Sequence, residues 1–332
     1  MTTAAAYRLP GNVLPTKYDL TLTPNLTDFT FSGDETVTIQ VTEPTNRIAV
    51  NAIDLEIADA QITLENSTSL TAQNIALNEG AETATFTFGQ SIPAGTAALR
   101  IRFTGTLNDQ LRGFYRSQYT TPEGEERYLA TTQFEATDAR RALPCWDDPA
   151  VKATFQVTLV IPSDLVAISN TLVESETPQD GGTKTVRFAE TPKMSTYLLA
   201  FLVGDFASVE QRAPNGTLVR VWATRGKEEQ GRFAVENAVG LLSYFNDYFG
   251  IPYPLEKLDH IAVPDFAAGA MENWGAITYR ETVLLYDPEN SSASTKQRIM
   301  EVVSHEMAHM WFGDLVTMEW WDDLWLNESF AS

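Results

Sequence analysis

Alternating apolar and polar residues recur along the first two hundred residues of the chain, and this pattern restricts its fold more than any other feature. A period of two places every second side chain on the same face of an extended strand. Turn-forming residues such as Pro93-Ala94-Gly95 and Gln179-Asp180-Gly181-Gly182 separate the segments. Because no helical segment intervenes, the pattern predicts an antiparallel β-sandwich or barrel. The alternating apolar positions are Tyr18, Leu20 and Leu22; Val37, Ile39 and Val41; Ala84, Phe86 and Phe88; Leu99, Ile101 and Phe103; and Phe155, Val157, Leu159 and Ile161.

A helical period replaces this alternation after Val209. Helices are predicted over residues 231–249, from Ser294 to Gly313, and from Asp322-Asp323 to the chain end. At 332 residues the chain is long for a single domain. We therefore predict an α+β fold, with an N-terminal β-sandwich domain at residues 1–208 and a second domain at residues 209–332.

Composition excludes several classes of partner. The net charge of −21 argues against binding to nucleic acid or to anionic membrane surfaces, which need basic patches. No stretch approaches the roughly 20 apolar residues of a membrane span, and the first ten residues lack the basic start and apolar run of a signal peptide. Cys145 is the one cysteine, so no internal disulfide can form. We therefore expect a cytoplasmic protein.

The second predicted helix contains a metal-binding pattern, His305-Glu306-Met307-Ala308-His309. Residues four apart share one helical face, so both imidazoles can ligate one zinc ion, while Glu306 can act as general base toward water. The pattern alone arises by chance in on the order of one per hundred chains of this length. Catalytic zinc usually has three protein ligands, and Glu328 on the third helix is the candidate for the third. His260, far from this pattern, is expected to be structural or on the surface.

Three blocks of this sequence resemble the gluzincin aminopeptidases, the group of aminopeptidase N and puromycin-sensitive aminopeptidase. The first is the two-histidine pattern followed, after eighteen residues, by Glu328. The second, Gly269-Ala270-Met271-Glu272-Asn273, is similar to the exopeptidase signature of that family. The third comprises residues 133–141 and Pro144-Cys145-Trp146-Asp147. The resemblance implies a saddle-like N-terminal β domain, a thermolysin-like catalytic domain and one Zn²⁺ per chain.

The resemblance also implies roles for residues outside the metal pattern. Glu272 and Glu135 would bind the free α-amino group of a peptide substrate, and Gln133 would help to shape the first subsite. The backbone at residues 269–271 would pair with the substrate main chain, and Asn273, the last residue of the signature, is expected to belong to the substrate-binding site. These roles are physically reasonable, because an aminopeptidase must recognise the one ammonium that distinguishes a chain end, and carboxylates bind it by charge-assisted hydrogen bonds.

Two alternative functions remain open. A bifunctional relative that also hydrolyses a lipid epoxide is disfavoured by alanine at position 270, where such relatives tend to have glycine. A non-catalytic scaffold is disfavoured because the metal ligands and the base are present. The family's catalytic domain continues with an oxyanion-stabilising tyrosine and a helical domain. We therefore expect this chain to be an N-terminal fragment and, alone, poorly active.

Overall fold

The structure, a computed structural model, describes residues 8–332. Residues 1–7 lie outside the described part, and with them most of the ten-residue segment in which no signal peptide is predicted. Within the described part, no helix has the length and apolar character needed to cross a bilayer. The described residues form three β-sheets and three α-helices.

The largest sheet builds most of the N-terminal half. Its strand order is β12-β13-β10-β1-β2-β7-β4-β5-β6-β3, and β14 adds to β10. The pairs are antiparallel except for β1 and β10, which run parallel. The sheet consists of β1 (Val13–Asn25), β2 (Thr30–Val41), β3 (Thr45–Asn51), β4 (Leu55–Leu64), β5 (Ser69–Asn78), β6 (Thr83–Ile92), β7 (Gly95–Thr106), β10 (Lys152–Pro162), β12 (Val173–Gln179), β13 (Thr183–Phe188) and β14 (Met194–Ser195).

Every alternating apolar position named above is buried. The register explains why: Leu20 of β1 lies opposite Val157 of β10, and Val37 of β2 lies opposite Leu99 of β7, so apolar faces of neighbouring strands coincide. A period-two sequence thereby produces one continuous core face. The predicted N-terminal antiparallel β-sandwich is confirmed.

A smaller four-stranded sheet lies in the same half and has the order β11-β15-β9-β8. Phe114 of this sheet packs edge-on against Phe31 of the main sheet, with ring centroids 5.1 Å apart, and against Phe201 of its own sheet, at 4.9 Å. The chain leaves β9 directly before Glu135. Its strands are β8 (Gly113–Thr120), β9 (Glu126–Gln133), β11 (Val166–Ser169) and β15 (Phe201–Gly204).

The second half is built on a five-stranded mixed sheet, β16-β17-β18-β20-β19, in which β17, β18 and β20 run parallel. Helix α1 (Arg232–Phe249) connects the parallel strands β17 and β18. Gly250, directly after it, has the left-handed conformation (φ 66°) that is common at helix C-termini. The predicted α+β fold class is confirmed, whereas the division at residue 208, which falls within β16, stays a prediction. The elements are β16 (Phe206–Arg212), β17 (Leu218–Thr224), α1 (Arg232–Phe249), β18 (Lys257–Val263), β19 (Ala270–Met271), β20 (Ala276–Arg280), α2 (Ala293–His309) and α3 (Trp325–Ala331).

Helix α2 ends earlier than the sequence predicts, at His309 rather than near Gly313. The chain turns back after the helix, so that the Asp314 amide donates to the His309 carbonyl at 3.0 Å, and Gly313 has a φ of +137°. Loop backbone thus satisfies a terminal carbonyl that a further helical turn would otherwise bind. The second histidine is therefore the last residue of its helix.

The main sheet offers a direct test of the core. Leu20→Ala is expected to lower the free energy of unfolding by about 2–5 kcal/mol, because the side chain is completely buried and its removal leaves a cavity. Thr23→Ala, at an exposed position of the same strand, should change it by less than about 0.5 kcal/mol. Urea unfolding followed by tryptophan fluorescence measures both. Equal midpoints for the two variants would contradict this description of β1.

Candidate functional site

Two histidines from α2 and one glutamate from α3 converge on a single point. The Nε2 atoms of His305 and His309 are 3.1 Å apart. The carboxylate of Glu328 places Oε2 3.3 Å from the first of these nitrogens and Oε1 3.7 Å from the second. In a tetrahedral zinc site with bonds of about 2.0–2.1 Å, neighbouring ligand atoms are about 3.3 Å apart. The donor types and their separations therefore fit a zinc ion.

The surrounding structure orients these ligands. His309 is almost completely buried, and its Nδ1 donates to the Phe312 carbonyl at 2.9 Å, which leaves the Nε2 lone pair for a metal. Phe312 also stacks on Phe330 of α3, with ring centroids 4.2 Å apart. Asn327, next to Glu328, is buried, and its amide donates to the Tyr197 hydroxyl at 3.4 Å. These contacts hold α3 near the end of α2 and so position the Glu328 carboxylate beside the two imidazoles.

Glu306 lies beside the metal ligands and does not belong to the convergent set of three. It is 5% exposed, and one of its carboxylate oxygens lies within 4.8 Å of both a ring nitrogen of His309 and a carboxylate oxygen of Glu272. Burial, followed by the nearby carboxylates of Glu272, Glu328 and Glu135, raises the pKa of Glu306 well above its usual range. A carboxylate with a raised pKa is a stronger base, which suits it to accept a proton from water.

Glu135 and Glu272 meet although they come from different sheets. One oxygen from each lies within 4.8 Å of the other and of an oxygen of Glu328. Burial, and then repulsion from Glu272 and Glu328, raises the pKa of Glu135 to about 9, and burial raises the pKa of Glu272 to about 7. The buried Oε1 of Glu272 has no hydrogen-bond partner in the described part of the chain. A cation placed between these carboxylates would offset both burial and repulsion.

The remaining residues predicted for the substrate site lie around this pair. Strand β19, formed by Ala270 and Met271, is the edge of its sheet, so its outer backbone groups are free to pair with an extended chain. Gly269 is exposed, and its carbonyl accepts a hydrogen bond from the Arg280 amide at 2.9 Å. Gln133, at the end of β9, has a buried Oε1 for which the described residues supply no donor.

Asn273 differs from its neighbours, because its side chain serves the loop that contains it. Its Nδ2 donates to the Thr278 hydroxyl at 3.1 Å and to the Ala276 carbonyl at 3.3 Å. The structure thus places this amide among the supports of the loop, while its direct contact with a substrate stays a prediction. His260 is fully buried, and its Nδ1 lies 2.9 Å from the Tyr279 hydroxyl, apart from the convergent ligands.

The sequence analysis did not identify Lys257, which is completely buried next to the segment that contains Asn273 and Gly275. Its Nζ donates to the carbonyls of Ser169 and Gly275 at 2.6 and 2.7 Å and to Asp259 at 2.7 Å. Arg220 pairs with the same aspartate. The sequence contained an indication of this buried ion pair. Strand β18 has two charged residues among otherwise apolar ones, apart from a histidine, and charged residues are rarely buried unless paired.

Both halves of the chain match models of one protein family. Residues 14–198 match the model of the peptidase M1 N-terminal domain, and residues 233–332 match that of the peptidase family M1 domain. The chain is 52% identical over 325 residues to aminopeptidase M1-B of Oryza sativa subsp. japonica, covering 98% of this chain and 37% of the relative. It is 45% identical over 329 residues to aminopeptidase N of Acetobacter pasteurianus, covering 99% of this chain and 91% of the relative. It is 44% identical over 326 residues to puromycin-sensitive aminopeptidase of Caenorhabditis elegans, covering 98% of this chain and 34% of that protein.

Proposed function

Since this chain belongs to the peptidase M1 family, we propose that it provides the metal site and the amine-binding site of a zinc aminopeptidase, an enzyme that releases N-terminal residues from peptides. The chain spans about a third of the length of the plant relatives named M1, so this activity is proposed for the whole protein. The observation that carries the proposal is the buried pair Glu135 and Glu272 beside the three convergent zinc ligands. A free amine held by this pair would place the first peptide bond next to the metal.

Each residue of the proposed site has a separate role in catalysis. His305, His309 and Glu328 would hold one zinc ion, which when bound supplies Lewis acidity toward the scissile carbonyl and makes water more acidic. Glu306 accepts the proton of the attacking water and then returns it to the departing amine. The carboxylate pair binds the α-ammonium of the substrate. The free edge of β19 pairs with the substrate backbone, which aligns the bond that is cut.

We further propose that the protein acts on peptides in the cytoplasm. The support is compositional: Cys145 is the one cysteine in the sequence, and it is buried and free, as is usual in a reducing compartment. The net charge of −21 argues against nucleic acid as a partner.

Hydrolysis should depend on a free α-ammonium. For the enzyme that contains this chain, we expect a peptide to be cleaved about 10- to 150-fold better, in kcat/KM, than its N-acetyl form. This range corresponds to the roughly 1.5–3 kcal/mol of a hydrogen bond to a charged group. Glu272→Ala should reduce this preference, whereas Glu301→Ala, at an exposed glutamate on α2, should leave it unchanged. Comparable cleavage of both peptides by the unmodified enzyme would rule out an exopeptidase.

A further inference from the structure

The segment that carries Glu272 is fastened to the four-stranded sheet at both of its ends. We define residues 264–275 as the amine loop. We propose that the sheet formed by β8, β9, β11 and β15 sets the separation between this loop and Glu135, and that Asp265 and Asn170 are positioning residues for the α-ammonium of the substrate. This inference rests on the proposed aminopeptidase function.

The front of the amine loop is held by strand β8. Asp265 Oδ2 accepts hydrogen bonds from the Gln118 amide at 2.7 Å and from the Ser117 hydroxyl at 3.2 Å. The Asp265 amide in turn donates to the Ser117 oxygen at 2.9 Å, and the Tyr115 hydroxyl donates to the Asp265 carbonyl at 2.9 Å. Backbone and side chain of one loop residue are therefore both bound to the edge strand of the sheet.

The rear of the amine loop is held at the opposite edge, just after β11. The buried Asn170 Nδ2 donates to the Trp274 carbonyl at 3.0 Å and to the Leu198 carbonyl at 2.8 Å, while its Oδ1 accepts from the Ala200 amide at 2.9 Å. Gly275 follows with a φ of +77°, and a Cβ there would lie 2.5 Å from the Asn170 carbonyl oxygen. Only glycine permits this close approach of the two backbones.

These two anchors, Asp265 against β8 and Asn170 against the Trp274 carbonyl, lie on either side of β9, the strand that precedes Glu135. Glu135 follows β9, which pairs with β8 on one side and with β15 on the other. Lys257 strengthens the rear anchor, because its Nζ joins the Ser169 carbonyl to the Gly275 carbonyl. The four-stranded sheet thus supports the segment that leads to Glu135 and both ends of the amine loop, while β19 within the loop pairs with β20 of the five-stranded sheet.

This arrangement has a consequence specific to amine recognition. Asp265 and Asn170 fix the parts of the loop that β19 does not fix by pairing with β20. Loss of either set of hydrogen bonds would change the separation between Glu272 and Glu135, so that an ammonium could contact only one of them. The zinc ligands belong to α2 and α3, which take no part in either anchor. Weakening an anchor should therefore reduce the affinity for the amine and leave the metal site intact.

The test compares two zinc-binding inhibitors that differ only in the α-amino group, leucine hydroxamate and its des-amino analogue, on the zinc-loaded enzyme that contains this chain. Asp265→Ala should reduce the preference for the amine-bearing inhibitor by roughly two- to ten-fold, the effect of losing about one hydrogen bond, with zinc content unchanged. Asp265→Asn keeps an acceptor for the Gln118 amide and should restore most of the preference. Asn170→Asp, which loses the donor to Trp274, should act like Asp265→Ala.

Asp28→Ala provides the matched control. Like Asp265, Asp28 is an exposed aspartate that accepts a side-chain hydrogen bond, from Asn25 at 2.9 Å, but it lies in a loop between β1 and β2. Its inhibitor preference should equal that of the unmodified enzyme. Equal weakening of both inhibitors in Asp265→Ala, or an unchanged preference, would overturn the positioning role alone. If the unmodified enzyme showed no preference for the amine-bearing inhibitor, amine recognition itself would be wrong. The proposed function and the positioning role would therefore fail in different measurements.

Discussion

Glu306→Gln is expected to keep its zinc and to lose about a hundred- to ten-thousand-fold in kcat, the typical contribution of a positioned general base. Glutamine has nearly the same shape, so the packing around this buried position should persist. Its amide cannot accept the proton of the attacking water. Because the side chain is not one of the three convergent ligands, the metal should remain bound.

The measurement pairs steady-state hydrolysis of an aminoacyl chromogenic substrate with metal analysis of the same preparation, made from the enzyme that contains this chain. Glu301→Gln is the matched control, since Glu301 lies on the same helix and is exposed. It should retain both zinc and activity. A Glu306→Gln enzyme that stays within a few-fold of the unmodified rate would show that another group accepts the proton.

The parts of this molecule that could be predicted from sequence are those governed by local periodicity. A period of two buries one face of a strand, and each of the alternating apolar positions listed for the N-terminal half is buried. A spacing of four on a helix brings two imidazoles to one side, and the Nε2 atoms of His305 and His309 lie 3.1 Å apart. In both cases the geometry follows from residues that are neighbours in the chain.

The parts that could not be predicted depend on contacts between distant segments. Asn170 bonds to the backbone of a residue 104 positions later, and Ser117 bonds to one 148 positions later. Nothing in a single asparagine or serine indicates such a partner. The early end of α2 has the same origin, because it depends on how the chain folds back after the helix. The pairing of Glu135 with Glu272 was predicted only from the resemblance to the family, because two residues so far apart in the sequence form no local pattern.

Removal of a proposed metal ligand should have the second large effect. His309→Ala is expected to weaken zinc binding by at least on the order of a hundred-fold, since loss of a mere hydrogen-bond partner of a ligand typically costs 10- to 100-fold. Two ligands would remain where catalytic zinc usually has three. The effect should be especially large at this position, because His309 is almost completely buried and its ring is fixed by the Phe312 carbonyl. The purified variant should contain little zinc and show little hydrolysis.

A readout that does not depend on activity makes this prediction decisive. Zinc that binds only the folded protein stabilises it by about 2.7 kcal/mol at a concentration one hundred times its Kd. After treatment with a chelator, the unmodified protein should therefore unfold at a higher temperature when zinc is restored, whereas the same concentration should stabilise His309→Ala by no more than about 0.4 kcal/mol. His260→Gln is the matched control, because His260 is equally buried and lies outside the convergent ligands. It should keep the zinc-dependent rise in unfolding temperature even if its packing makes the protein less stable. A rise of the same size in His309→Ala would exclude His309 as a ligand, because the free energy of zinc binding would then be independent of the imidazole assigned to it.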